Sequence, residues 1–219
     1  MNAMKEIIQR YGLTAHEHFK PGVLEWRPRM GVHNAFHQNP LNIFLHATFS
    51  IISIWAAMLM LYPINLPGIN IFSQPVDVAM VLIGGLFIVY VLMDWLTAIV
   101  LTGLYSAAYL LCPIMMDWLG GSVLLMELSG VMLTVLALAV QVFVGHNIGE
   151  NGIDDAKENI QEMLAKKNPI YFMLLPFYCY LDLFFKLGYK PNEAKIIYAI
   201  IDELRPILVA ENENRKPLN

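Results

Sequence analysis

From residue 43 to 144 the chain is a succession of apolar runs broken at short polar points, with mixed, charged sequence on either side. A membrane span needs about 20 mostly apolar residues, and 43–61 is the first run that qualifies. "YPINLPGINIFSQP", 62–75, carries the Pro, Gly and Asn of a turn region. The next run, 76–116, is too long for one span and about right for two, with Asp94 in its middle as the natural point for a hairpin. "DWLGGS" at 117–122 is the following break, and 123–144 is the fourth candidate. Beyond it, "GENGIDDAKENIQEMLAKKNP" reads as a polar loop and helix. The segment 169–185 is apolar again but holds Pro176 and Asp182. "NEAKIIYAIIDELRPIL" has the pattern of an amphipathic helix, and the last ten residues read as frayed. The pattern predicts an all-α polytopic membrane protein, a four-helix transmembrane bundle with extra cytosolic or interfacial helices. It divides into a cytosolic N-terminal segment (1–40), a membrane domain with its polar site at the cytosolic face (41–150) and a cytosolic or interfacial helical tail (151–219).

Composition and charge sharpen this. The 219 residues are 57% hydrophobic and only 15% charged, against about 25% in soluble domains. Lys5, Arg10, Lys20, Arg27 and Arg29 precede the first span, the next basic residue is Lys157, and no Lys or Arg lies between Met30 and Ala156. The positive-inside rule then puts both flanks in the cytosol, which requires an even number of spans, four. The segment 169–185 is therefore expected to lie in the interface or beneath the bundle. These features imply an integral protein of a bacterial inner membrane or endoplasmic reticulum. Its partner is a lipid bilayer and not nucleic acid, and a homo-oligomer is compatible with the pattern. The N-terminus has no apolar h-region, so no cleaved signal peptide is expected. Cys112 and Cys179 both sit in apolar runs and are expected to be buried hydrophobes without a disulfide.

The candidate chemistry lies at the edges of the spans. His37, Asn42 and His46 stand at the threshold of the first span, Asp94 at the hairpin, and His146 and Glu150 at the end of the fourth. With four spans all of these converge on the cytosolic side. Ionisable groups there are costly and by default suggest function. His37 and His46 are nine residues apart, half a turn out of phase on one continuous helix. Asn39-Pro40 resolves this: Asn is a favoured N-cap and Pro a favoured first helical residue. The helix should start at Pro40, leaving His37 before it and free to fold back. Asn42 and His46 are i, i+4 and so are His146 and Glu150, unless Gly145 or Gly149 ends the helix early. An Asn so placed can orient a histidine that binds metal, and imidazoles suit Zn, Cu, Fe and Ni. A lone interfacial histidine is more often a hydrogen-bonded surface residue. Three at converging positions with Asn and Glu partners favour a metal site. His33 and His37 are also i, i+4, and His16 and His18 form a local pair; both pairs precede the membrane, and His16 and His18 are expected to be solvated. Asp94 can equally cap a tight turn. Spacing alone gives neither the metal nor the reaction.

"FHQNPLNIFLH" together with "QVFVGHNIGE" resembles the fungal 2-hydroxy fatty acid dioxygenase family, four-span membrane proteins whose yeast member acts in turning phytosphingosine into odd-numbered fatty acids. The resemblance rests on Phe36-His37, Asn39-Pro40, Asn42, His46, Gln141, Gly145, His146, Glu150, Pro169 and "FFKLGYKP", and covers about residues 34 to 191. The chain departs from the family pattern in "NGIDDA" after Glu150, in Asp182 where the family carries Glu, in His33 where an aromatic is usual, and in its first thirty residues. These departures bear on substrate range more than on the metal. The resemblance implies Fe(II)-dependent α-oxidation, in which a long-chain 2-hydroxy fatty acid and O2 give a fatty acid one carbon shorter. It implies His37, His46 and His146 as iron ligands, with Asn42, Glu150 and Asp94 as supporting groups or a fourth ligand. A 2-hydroxy acid can chelate iron through carboxylate and hydroxyl, so few protein ligands are needed and a position stays open for O2. Two other readings stand beside it: a haem protein with His46 and His146 as axial ligands, and a non-catalytic membrane scaffold with structural histidines.

Overall fold

The computed structural model describes residues 26–71, 73–149 and 170–215. Its elements in chain order are α1 (Trp26–Phe36), α2 (Pro40–Leu61), a hairpin of β1 (Asn65–Ile71) and β2 (Gln74–Asp77), α3 (Val78–Met93), α4 (Trp95–Tyr109), α5 (Leu111–Trp118), α6 (Val123–Ala139), a π-helix (Val140–Gly149), α7 (Ile170–Lys186) and α8 (Pro191–Arg215). The chain forms two compact units: one comprises residues 47–140, the other the residues before and after that block.

Within residues 47–140 the helix boundaries are set by a few polar side chains. Asp77 ends β2 and caps α3, its carboxylate accepting from the Met80 N–H at 2.8 Å and from the Tyr109 hydroxyl. Asp94 has extended backbone and is both the last cap of α3 and the first of α4. Its Oδ1 accepts from the Thr97 N–H at 2.8 Å and the Thr97 hydroxyl at 2.7 Å. One buried carboxylate therefore turns a continuous apolar run into two helices, as the sequence leads one to expect. Gly120 and Gly121 take positive φ in the turn before α6, which Ser122 caps.

Among the described residues three helical stretches are long and apolar enough to cross a membrane: Pro40–Leu61, Trp95–Trp118 and Val123–Gly145. The remaining apolar helix, Val78–Met93, has 16 residues. At 1.5 Å per residue it extends about 24 Å, short of a hydrocarbon core of about 30 Å. Of the four spans expected, three are matched by helices of spanning length among the described residues, and the fourth candidate is this shorter helix. The all-α expectation also needs amendment. Where the sequence suggested a plain turn region, residues 65–77 form a two-stranded antiparallel hairpin, pairing Asn65 with Asp77 and Ile71 with Gln74. The faces of α4 and α6 are lined by exposed Ile99, Leu104, Leu128, Met132 and Val135, which suits contact with lipid and not water. Trp95 and Trp118, both exposed, stand at opposite ends of one apolar stretch, about 35 Å apart by helical rise. This is the spacing of the two aromatic belts of a bilayer.

The other unit is built on α1, α7 and α8, which pack on one another. α8 approaches α1 so closely that a Cβ at Gly31 would lie 2.9 Å from the Ile200 side chain. α7, expected to lie in the interface or beneath the bundle, buries Leu174, Phe177, Tyr178 and Leu181.

α6 meets α2 at Gly130, where a Cβ would stand 2.6 Å from both the Ala56 carbonyl oxygen and Met60 Cγ. Small residues at such crossings let backbones approach. Gly130→Ala should cost about 1–3 kcal/mol by overpacking, read as a lower unfolding midpoint in detergent. Gly103→Ala, with nothing within 4 Å, should be neutral or slightly stabilising, since Ala favours helix by about 1 kcal/mol. Equal midpoints for the two variants would contradict the close crossing.

Candidate metal centre

α2 begins where Asn39-Pro40 requires. Asn39 Oδ1 accepts from the Leu41 N–H at 2.9 Å, the usual N-cap bond. His37 lies between α1 and α2, outside both helices, and its N–H reaches back to the Asn34 carbonyl at 3.1 Å. This break lets the chain fold back on itself. The His37 and His46 ring centres come within 4.7 Å despite their opposed helical phase. Asn42, one turn before His46, bonds His37 instead of only facing along its own helix: Asn42 Nδ2 and His37 Nδ1 are 2.9 Å apart.

The amide orientation decides the chemistry. If Nδ2 faces the ring, His37 Nδ1 is the acceptor and Nε2 carries the proton. With the amide turned so that Oδ1 faces the ring, Nδ1–H donates to it and Nε2 keeps its lone pair for a metal. The second arrangement is the one that fits a ligand histidine.

A third imidazole joins them. His33, one turn before His37 on α1, has its ring centre 4.3 Å from that of His37 and 6.4 Å from that of His46. All three histidines and Asn42 are buried. The i, i+4 relation of His33 to His37 is visible in the sequence, which leaves open whether His33 or Glu150 is a further ligand. What could not be read was that α1 ends at Phe36 and turns its last face onto the start of α2.

Distant residues hold that end of α1 in place. Asn34 Nδ2 donates to Asp182 Oδ1 of α7 at 3.3 Å, and Lys186 Nζ pairs with Asp182 Oδ2 at 2.7 Å. Arg205 of α8 donates to the Ala35 carbonyl at 2.9 Å, near the C-terminus of α1 where a cation is favourable. Tyr178 lies with its ring centre 5.5 Å from that of His33. Burial, then the neighbouring Asp182 carboxylate, push the Tyr198 hydroxyl up to about 12, so it stays a neutral donor beside Asp182.

The motif at the end of the last span forms a π-helix, not the expected α-helix, a geometry found often at functional sites. Gly145 in that stretch abuts Asn42: a Cβ there would overlap Asn42 Oδ1. His146 is the next residue of the same stretch. Glu150, His16 and His18 lie outside the described residues. Asp94 belongs to the 47–140 unit, where its carboxylate serves the α4 N-terminus.

The gathered rings suit a first-row metal in spacing. With a metal–nitrogen distance of about 2.1 Å and a ring centre about 1.2 Å beyond, two rings on one ion at a right angle have centres about 4.7 Å apart. His37 and His46 match this separation. Among the described residues no group of three or more His, Cys, Asp or Glu side chains is placed to hold a metal ion. No protein-family model, curated protein or solved structure matches the chain.

Contact between Gly145 and Asn42 yields a direct check. Gly145→Ala should displace the Asn42 amide from His37 and cost about 1–3 kcal/mol of stability. In 15N NMR of histidine-labelled protein, Gly145→Ala and Asn42→Ala should both shift the His37 Nδ1 resonance. An unmoved His37 signal in both variants would refute the pairing.

Proposed function

We propose that the protein is a membrane-bound Fe(II)-dependent dioxygenase that shortens long-chain 2-hydroxy fatty acids by one carbon. The observation that carries this is the cluster of buried imidazoles at the very start of an apolar helix of spanning length. A soluble metal enzyme has no need to put its ligands at the edge of a membrane helix, whereas an enzyme acting on the head of an acyl chain does. The resemblance of the two histidine motifs to the 2-hydroxy fatty acid dioxygenases supports the choice of metal and reaction. The net change balances as one 2-hydroxy acid and one O2 giving the shorter acid, CO2 and water.

In this reading His37, His46 and His146 hold the metal. Bound there, Fe(II) would supply O2 activation and a charged anchor for the substrate's carboxylate and hydroxyl. Asn42 fixes the His37 tautomer by accepting from Nδ1–H, and Gly145 leaves room for that amide. Glu150 follows His146 as a supporting group or further ligand. Asp94 is accounted for by helix capping. The apolar flanks of the helices exclude water and take the acyl chain, leaving the polar head at the membrane edge. Both termini lie in the cytosol.

Anaerobically purified, iron-loaded protein given 2-hydroxypalmitate and O2 should release the acid one carbon shorter. Palmitate should not react, since it lacks the second chelating oxygen. Chelation should abolish turnover, Fe(II) should restore it, and 2-oxoglutarate should have no effect. Removing four methylenes should weaken binding by up to about 3 kcal/mol, on the order of a hundredfold. Folded, iron-loaded protein inert to every 2-hydroxy acid would sink the chemistry, and a Soret band would replace it with haem binding.

Cysteines introduced near Gly68 and Gly120 should be labelled only from the far side of the membrane, and cysteines near either terminus only from the cytosol. Cytosolic labelling at Gly68 would overturn the four-span orientation.

A further inference from the structure

We propose that the corner joining α7 to α8 is a lipid-docking surface, which inserts Leu187 at the headgroup level of a bilayer containing anionic lipid. This goes beyond the reaction proposed above and depends on neither its metal nor its substrate. It rests on the membrane reading alone. Leu183, Leu187 and Ile196 are 50%, 76% and 52% exposed. Leu183 and Leu187 lie one turn apart on one helix face, and Lys186, half exposed, stands beside them. Lys190 and the exposed Lys195, next to Ile196, continue the basic rim.

The exposure of Leu187 is built into the backbone. α7 ends in a Schellman turn: the Gly188 N–H donates to the Phe185 carbonyl and the Tyr189 N–H to the Phe184 carbonyl, both at 2.9 Å. Gly188 takes a φ of +89°, the left-handed conformation that this cap requires. The apolar contact that accompanies such a turn is made by Tyr189 and Phe184, with ring centres 6.4 Å apart. Leu187 takes no part in that contact and is held outward by a fixed turn. A turn that needed only to close would be served as well by a polar residue at 187.

Charge selects the occupant. The nearby carboxylates are Asp182, which pairs with Lys186 at 2.7 Å, and Glu193, 4.0 Å from Lys190. The Asp182 side chain is 7% exposed against 50% for Lys186, so the ammonium and not the carboxylate faces outward. Lys190 Nζ lies 5.4 Å from the centre of the Tyr189 ring. Tyrosine suits the headgroup level, and lysine buries its stem there while its ammonium reaches the phosphates. A second copy docked face to face would set these lysines against the same lysines of its partner. An anionic lipid surface complements both the apolar tip and the basic rim. α2, a helix of spanning length, starts within the same unit. The corner is thereby tethered to a bilayer, and docking proceeds at high effective concentration.

Fluorescence quenching tests the contact. Full-length Leu187→Cys protein is labelled with bimane and placed in phosphatidylcholine nanodiscs with or without phosphatidylglycerol. Cys112 and Cys179 are buried, and unsubstituted protein sets the background. Met132→Cys, on an exposed face of α6, gives the lipid reference, and free label in buffer gives the aqueous one. Ile196→Cys is a second reporter, on α8. Labels at 187 and 196 should be blue-shifted, quenched by lipid carrying a nitroxide near its headgroup and protected from iodide, all more strongly with phosphatidylglycerol. Lys190→Gln combined with Lys195→Gln should lower the docked-to-undocked ratio about thirtyfold, at about fivefold per lysine near an anionic surface. Concentrated salt should act in the same direction. Iodide quenching equal to that of free label in both lipid mixtures would overturn the proposal. So would a label shielded from both quenchers, the sign of a protein contact, or lipid quenching indifferent to phosphatidylglycerol and to the two lysines. No readout requires iron or turnover, so failure of the dioxygenase reading would leave this result standing.

Discussion

Asn39 and Pro40 fix where α2 begins, and the polar cluster depends on that point. Had the helix run one turn further towards the N-terminus, His37 and His46 would face opposite sides of one cylinder. The N-cap bond from Asn39 to the Leu41 N–H and the missing N–H of proline end the helix where they stand. His37 is then carried by the link between two helices, and a single Asn42 amide can reach it from the first turn of α2. The start of an apolar helix thus becomes a polar nest in which Asn39 accepts from the Leu41 and Ile43 N–H groups.

Such a nest is costly unless each buried group has partners, and the partners come from far along the chain. Asp182 is 148 residues from Asn34, and Arg205 is 170 from Ala35. These contacts clamp the C-terminal turn of α1, from which His33 and the backbone leading to His37 project. The close packing of Gly31 on Ile200 sets the depth of the same helix. α7 and α8 therefore act as a brace for α1 and not as an appendage.

The 47–140 unit follows a different economy. A few polar side chains punctuate its helices: Asp77 starts α3, Asp94 separates α3 from α4, and Ser122 starts α6. Asp77 also accepts from Tyr109 across the helix pair, so one carboxylate stabilises a helix terminus and a tertiary contact together. Most remaining side chains are apolar and exposed on the helix faces, where lipid takes the place that a core has in a soluble protein.

The amino-acid sequence by itself determined the apolar runs of this unit and the breaks at Asp94 and at 117–122, because hydrophobic run length, Gly and capping Asp or Ser act locally and need no partner. It also located the start of α2 and the candidates His37, Asn42 and His46, through cap chemistry and helical phase. The length of α3, the β-hairpin at 65–77 and the π-helix at 140–149 were not legible, since each depends on strand pairing or side-chain fit that periodicity does not encode. The place of His33 was decided only by tertiary structure. Its i, i+4 relation to His37 is visible in the chain, but whether that face meets solvent or α2 depends on the long-range contacts of Asn34 with Asp182 and of Ala35 with Arg205. Those contacts join residues with no local signal between them, and they turn a pair of histidines into a buried cluster of three.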